Sequence, residues 1–338
     1  MLRALGIACK YVFSRFWTHK PIILAHSVTS ECNCRCKICD VWRKRHNNDE
    51  MTTHEVFRML DEARKLNFVA YVALGGEPLM RPDILNILHR AHDLGLYTSI
   101  ITNGTFLSDN VEKIAKLVDL TWVSLDHYSD YHNEMRGLKG TFEKAVDGIL
   151  KLRRAGGRIV INCVLSRLNM DAVGRMAEFA HKLGVKLALD PIKIFPASNE
   201  EYALKTSELK RLFSEAREFK RQGYPILNSH AYLEHLISRV KYSCAHPRTF
   251  IRVSEEGKIE PFWCQKTSRV LGDLRKQSLG EVLYSPSFEK FTESAKKCNL
   301  CDNSSTVEAS IFYSTRSFFM NFYKWNSPYL RFVLDYAL

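Results

Sequence analysis

The sequence predicts an α/β protein in which a parallel barrel of six strand–helix units, open or closed, is followed by a smaller cysteine-bearing domain. Three observations predict it. From residue 21 to residue 223, apolar runs of strand length alternate with amphipathic stretches of helix length, and strands separated by helices pair in parallel through right-handed crossovers. Three closely spaced cysteines follow the first run. After Tyr224 the alternation stops, and four further cysteines, Cys244, Cys264, Cys298 and Cys301, fall in that C-terminal region. A chain of 338 residues with 46% hydrophobic composition can bury one large core and a smaller one.

Residues 21–28 form the first strand, and the cysteine loop leaves its C-terminal end, where parallel α/β folds place their sites. Thr52 and Glu55 make a T-x-x-E capping box, and Val56, Leu60, Ala63 and Leu66 mark the inner face of the helix it starts. Strand two is 68–74. Pro82 suits a first helical turn and Gly95 a C-terminal stop, bracketing Ile84, Leu88, Ala91 and Leu94. The alternation continues with strand 97–102, helix 108–118, strand 120–125, helix 140–155, strand 158–165, helix 170–183, strand 185–189 and helix 207–222.

The termini differ from this core. Residues 1–20 mix Leu2, Leu5, Ile7, Val12, Phe13, Phe16 and Trp17 with Arg3, Lys10, Arg15 and Lys20, and contain no acidic residue. The segment is too interrupted to span a bilayer and lacks a signal-peptide pattern. Residues 304–338 hold an aromatic tail, including Phe318, Phe319, Phe322, Tyr323, Trp325 and Phe332, far above the 11% aromatic average, with Arg316, Lys324 and Arg331 interleaved. Each terminus reads either as an interfacial membrane segment or as packing on the body of the protein. The net charge of +12 comes with no RNA-binding signature and no long basic run, which points away from nucleic acid. Ten cysteines, in tight metal-like spacings and without a signal peptide, indicate a reducing cytoplasm, and the basic, apolar termini add the inner membrane face as an expected peripheral location.

Cys32, Cys36 and Cys39 stand at C-x3-C-x2-C spacing, with Cys34 a bystander between them. An iron–sulfur cubane usually takes four cysteine thiolates, so three leave one iron open for chemistry. Zinc, which normally takes a fourth protein ligand nearby, and a chance group of buried thiols are the alternatives. The spacing resembles the radical S-adenosylmethionine (radical SAM) superfamily. That resemblance implies a partial (β/α)6 TIM-like barrel, a catalytic [4Fe–4S] cluster on Cys32, Cys36 and Cys39, S-adenosylmethionine as cosubstrate, and a flavodoxin- or ferredoxin-like electron donor.

Gly75-Gly76-Glu77-Pro78 follows strand two, Thr102-Asn103-Gly104 ends strand three, and Ser124-Leu125-Asp126 ends strand four. Taken alone, these are ordinary turn and cap residues. They resemble the family's segments at those positions, which implies that Gly75, Gly76 and Glu77 meet the methionine amino group and that Ser124 meets the ribose or carboxylate region, with Asn103 and Asp126 nearby. Arg136 resembles the arginine that pairs with the methionine carboxylate, a partner suited to a guanidinium fork. Asn162 on strand five is a weaker candidate.

Cys244, Cys264, Cys298 and Cys301 suffice to close a cubane or bind zinc. The stretch through Leu271-Gly272-Asp273-Leu274 and Ser278-Leu279-Gly280-Glu281 resembles the linker of the SPASM and twitch extensions of radical SAM enzymes, which implies a twitch-like domain over 224–303 with one auxiliary [4Fe–4S] cluster. Cys9, Cys34 and Cys163 have no assigned role. The expected activity is reductive cleavage of S-adenosylmethionine and hydrogen abstraction from a substrate. The charged and aromatic termini favour a membrane lipid or polyprenyl-linked molecule; the alternatives are a peptide- or protein-modifying maturase and, in another class, a non-catalytic iron–sulfur electron carrier or redox sensor.

Overall fold

The computed structural model describes residues 14–314 apart from 44–48, 196–197, 262–263, 265–266 and 268. Six parallel strands form its centre: β1 (Ile23–Thr29), β2 (Ala70–Gly75), β3 (Tyr97–Thr102), β4 (Leu120–Ser124), β5 (Ile159–Leu165) and β6 (Lys186–Pro191). Alternate strand residues such as Leu24, Tyr71, Ile100, Val123, Ile161 and Leu189 pack in the main core with the covering helices. The opposite face carries a smaller group, Tyr97, Leu120, Val160 and Ala188, with Trp122 against it. This two-residue period sets which side chains face the concave side at the strand ends.

The helices form where the sequence places them. Thr52 caps α1 (Thr53–Lys65) with both halves of the box made, and Val56, Met59, Leu60 and Ala63 are its buried face. The crossovers continue with α2 (Ile84–Asp93) and α3 (Val111–Leu117), the latter entered through a short 3-10 turn at Ser108–Asn110. A short helix that the periodicity does not mark, α4 (Tyr131–Arg136), precedes α5 (Thr141–Arg154), and α6 (Ala172–Leu183) and α7 (Thr206–Arg221) complete the series.

The sheet does not close. Its order is β6-β5-β4-β3-β2-β1-β7-β8-β9, in which β7 (Phe250–Val253) pairs parallel to β1, while β8 (Lys258–Glu260) and β9 (Gly272–Asp273) follow antiparallel. The C-terminal region thus begins by extending the barrel sheet. On the other edge, Leu187 bridges Ile226, and the Asn228 side chain serves both the N–H and the C=O of Leu189, at 2.7 and 3.0 Å.

Residues 304–314 fold back onto the barrel. In α12 (Ser304–Tyr313), numbered after α8 (His230–Ser238), α9 (His246–Thr249), α10 (Leu279–Leu283) and α11 (Pro286–Ala295), the Ser304 N–H and hydroxyl both donate to Asp190, at 2.6 and 2.8 Å. Glu308 accepts the Ser229 N–H at 2.8 Å, at the start of α8. The rest of the aromatic tail and residues 1–13 lie outside the described residues. Among the described residues no helix is long and apolar enough to cross a membrane.

Burial pushes the Asp190 carboxyl up to about 6 and that of Glu308 up to about 7, against about 4 in an unfolded chain. Between those values the folded chain keeps protons that the unfolded chain has released, so stability falls as pH rises from about 4 to about 7 and levels off above. The Asp190→Asn and Glu308→Gln variants are expected to flatten this slope in urea midpoints taken across the window; an unchanged slope would remove both groups from the account.

Candidate active site

The cysteine loop is held by backbone contacts before any ligand is considered. Glu50 accepts from the Thr29 hydroxyl and the Ser30 N–H, at 2.9 and 2.8 Å, as the chain leaves β1. The loop then lies along α4: the Arg35 N–H donates to the Arg136 carbonyl at 2.9 Å and the Lys37 N–H to that of Met135 at 3.0 Å. Gly137 ends α4 in the left-handed conformation, and a Cβ there would sit 2.6 Å from the Arg35 carbonyl oxygen. That close approach is why the helix stops on glycine.

Cys32, Cys36 and Cys39 share this loop, with Cys36 buried and the other two half-buried. Hydrogen bonding with Cys34, aided by the Arg136 guanidinium, holds the Cys36 thiol below the usual thiol range, and Cys34 also lowers Cys32, whereas burial raises Cys39 to about 11. Cys34 itself, bridging its two neighbours, is held well above the usual thiol range. The Asn103 amide reaches the Cys34 sulfur at 3.3 Å.

The glycine pair docks this loop onto β2. The Gly76 N–H donates to the Thr29 carbonyl at 2.8 Å and the Glu77 N–H to that of Glu31 at 2.7 Å. A Cβ at Gly76 would meet the Glu31 carbonyl oxygen at 2.0 Å. Gly76→Ala must therefore push these backbone segments away from each other, and we expect S-adenosylmethionine affinity of the reconstituted protein, read by calorimetry, to fall at least about tenfold; unchanged affinity would separate this contact from cosubstrate binding.

Glu77 is fully enclosed, accepting from the Thr102 hydroxyl and the Asn103 N–H, each at 2.7 Å, and from the Leu79 N–H at 3.1 Å. Burial pushes its carboxyl up to about 7. Glu77 thus braces the turn after β3 against the loop after β2. Asn103 carries the brace on to the cysteine loop, donating to the Asn33 side chain at 2.8 Å.

Asp126 and Arg136 form a buried ion pair at 2.6 Å. Asp126 also accepts the Val164 N–H at 2.9 Å, and the Arg136 Nη1 stands 3.8 Å from the Cys36 sulfur. Burial works against the charge on Arg136, but Asp126 and the thiols raise its affinity for the proton overall. Its buried Nε has no hydrogen-bond partner among the described residues, so donor capacity remains for a carboxylate. Ser124 and Asn162 are register partners on β4 and β5, both half-buried, on the concave face with Trp122 and Val160.

In the second cysteine set, hydrogen bonds tie down the segments that carry Cys244, Cys298 and Cys301. The Cys244 N–H donates to the Cys298 carbonyl at 3.0 Å, and the Tyr242 hydroxyl bonds the carbonyl and the N–H of Cys301, at 2.9 and 3.1 Å. Burial, reinforced by the nearby thiols of Cys301, Cys298 and Cys264, pushes the Cys244 thiol up to about 11. Among the described residues no three His, Cys, Asp or Glu side chains stand converged as a preformed single-ion site. The fit to a metal group therefore rests on donor chemistry, which in both sets is thiol and suits iron–sulfur ligation. No motif marks Asn33, Trp42 and Tyr242, which hold these loops; their adjacency in sequence to the cysteines is the available signal.

The model of the Radical SAM superfamily matches residues 26–180, and a Domain of unknown function (DUF3463) matches residues 194–325. An AdoMet-dependent heme synthase of Methanosarcina barkeri is 27% identical over 315 residues, covering 84% of this chain and 89% of that protein. A PqqA peptide cyclase of Ruegeria pomeroyi is 31% identical over 175 residues, 49% of this chain and 46% of the relative. Streptococcus suis SuiB bound to S-adenosylmethionine superposes with a TM-score of 0.68 at 17% identity, over 81% of this chain and 68% of that one. Native anSMEcpe with bound AdoMet gives 0.66 at 16%, over 93% and 96%. The open parallel sheet is the fold of those structures, and residues 26–180 of this enzyme form a Radical SAM superfamily domain, followed by the DUF3463 domain.

Proposed function

We propose that this enzyme binds a [4Fe–4S] cluster through Cys32, Cys36 and Cys39, cleaves S-adenosylmethionine reductively, and abstracts hydrogen from a small-molecule or peptide substrate. The observation that carries the reading is the buried Arg136, beside the Cys36 sulfur with an unused Nε, on the helix that holds the cysteine loop. When bound, the cluster and cosubstrate supply one-electron cleavage of the S–C5′ bond and a 5′-deoxyadenosyl radical. The chain does the rest: Arg136 receives the methionine carboxylate, the Gly75-Gly76 backbone lies along the methionine, Ser124 and Asn162 offer polar contacts on the concave face, and the enclosed Glu77, Asn103 and Asp126 fix their positions. Enclosure excludes water from a reactive intermediate.

The substrate class follows the relatives, an AdoMet-dependent heme synthase and a PqqA peptide cyclase. A membrane lipid gains no support from them, and most of the two termini on which that expectation rests, residues 1–13 and 315–338, lies outside the described residues. We assign Cys244, Cys264, Cys298 and Cys301 to one auxiliary [4Fe–4S] cluster in a twitch-like domain, with electron transfer as its role. Anaerobic reconstitution with iron counting and assay of 5′-deoxyadenosine is the test. About eight irons per chain with cleavage are expected, and about four in Cys301→Ala with cleavage retained. A fully loaded protein that does not cleave S-adenosylmethionine would overturn the reading in favour of an electron carrier.

A further inference from the structure

The chain leaves β1 at Thr29, carries the first cysteines, and returns to the body of the protein at Asp49, Glu50 and Met51, just before α1. The Glu50 carboxylate ties the two ends of this loop to each other through the Thr29 hydroxyl and the Ser30 N–H. The return is gripped from the C-terminal region. In the turn after β9, Arg275 donates from Nη1 to the Asp49 carboxylate at 2.5 Å and from Nη2 to the carbonyls of Asp49 and Glu50, at 3.0 and 3.1 Å. Its Nε donates to the Glu55 carboxylate at 3.2 Å. Every nitrogen of the guanidinium is thus engaged, in a fork that a lysine ammonium cannot reproduce. The turn itself is fixed, since the Arg275 N–H donates to the Asp273 carboxylate at 3.0 Å and the Leu274 N–H to the Gly257 carbonyl at 2.9 Å. Met51 is held independently of Arg275, its N–H donating to the Glu255 carbonyl at 2.8 Å and its carbonyl accepting from Arg81, also at 2.8 Å.

We infer that Arg275 is a positioning residue through which the C-terminal domain holds the cysteine loop and the glycine pair in place for S-adenosylmethionine. The inference rests on the proposed reading of that loop and that pair as the cosubstrate site. The path between them is continuous. Arg275 fixes the Glu50 backbone, and the Glu50 carboxylate fixes Thr29 and Ser30. The Thr29 carbonyl accepts the Gly76 N–H, the Glu31 carbonyl accepts the Glu77 N–H, and Cys32 follows Glu31 directly. Losing Arg275 therefore loosens the loop where it returns, while Met51 keeps the fold anchored. Contacts one step behind a ligand-bearing group commonly tune affinity by about 10–100-fold. General loosening of the two domains would act differently, and Arg58 is the control for it. From α1, Arg58 donates to the Leu274 carbonyl at 2.9 Å, across the same junction but with no contact to the loop.

The test compares wild type with Arg275→Met, Arg275→Lys, Glu50→Ala and Arg58→Met, each as the reconstituted full chain. Calorimetric titration with S-adenosylmethionine is expected to give a dissociation constant about tenfold larger in Arg275→Met, with no recovery in Arg275→Lys and iron content unchanged. Arg58→Met should stay within about twofold of wild type. Because Arg275 and Glu50 act along one path, the double variant Arg275→Met/Glu50→Ala should bind within about twofold of the weaker single variant, short of the product of the two effects. Hydrogen exchange read by mass spectrometry should speed up at the Ser30 N–H in Arg275→Met and not in Arg58→Met. Unchanged affinity in Arg275→Met, an equal loss in Arg58→Met, or multiplying effects in the double variant would overturn the inference. A cluster-loaded wild type that does not bind S-adenosylmethionine would instead sink the proposed cosubstrate site, and the exchange measurement would still decide whether Arg275 holds the loop.

Discussion

Replacing Cys36 with alanine is expected to abolish S-adenosylmethionine cleavage and to remove about four irons per chain, leaving those on the second cysteine set. Cys36 is the buried thiol of the three, and its sulfur stands 3.8 Å from Nη1 of Arg136. Without it, two thiols remain on a loop that still lies along α4, because the Arg35 and Lys37 N–H contacts to that helix do not involve the side chain. The fold should therefore survive, and far-ultraviolet circular dichroism should not change. Cys34→Ala supplies the contrast: Cys34 stands outside the ligand spacing, so iron content and cleavage should stay within about threefold of wild type. Equal losses in both variants would mean that the ligand set has been assigned wrongly.

Elements encoded by local pattern are legible in the sequence. The box at Thr52 and Glu55 starts a helix because both of its hydrogen bonds are made within four residues of each other, and β3 spans the expected 97–102. Contacts between distant segments are not. No period in residues 131–136 marks α4, which packs the cysteine loop through the backbone of Met135 and Arg136 and ends on Gly137. Likewise β7 is too short for its pattern to reveal that β1 is its partner. At the site, Glu77, Asn103, Asp126 and Arg136 can each be named from a resemblance. That Glu77 is walled in under three donors, and that Asp126 pairs with Arg136, depends on side chains 25 to 38 residues apart or more closely spaced across a helix, and such pairings leave no trace in a single sequence. Trp42 carries no signal of its own, because a lone tryptophan after a motif is as easily core as contact; its bond to the Cys36 carbonyl is visible only in the fold.

Asp126→Ala is expected to destabilise the folded chain by about 3–5 kcal/mol in urea unfolding, the largest loss among substitutions that spare the cysteines. The Asp126 side chain is fully buried and that of Arg136 is 11% exposed, so the variant would strand a guanidinium with little water to replace its partner. The Val164 N–H would lose its acceptor as well. Leaving a charge unpaired is what costs, so the double variant Asp126→Leu/Arg136→Met should recover most of the stability, as apolar replacements of buried ion pairs often do. Cosubstrate affinity should behave differently. If Arg136 receives the methionine carboxylate, calorimetry on the reconstituted double variant should show S-adenosylmethionine binding lost even though the fold is restored. Stability and binding recovering together would instead give the pair a purely architectural role, with Arg136 bracing the helix under the cysteine loop and the carboxylate bound elsewhere.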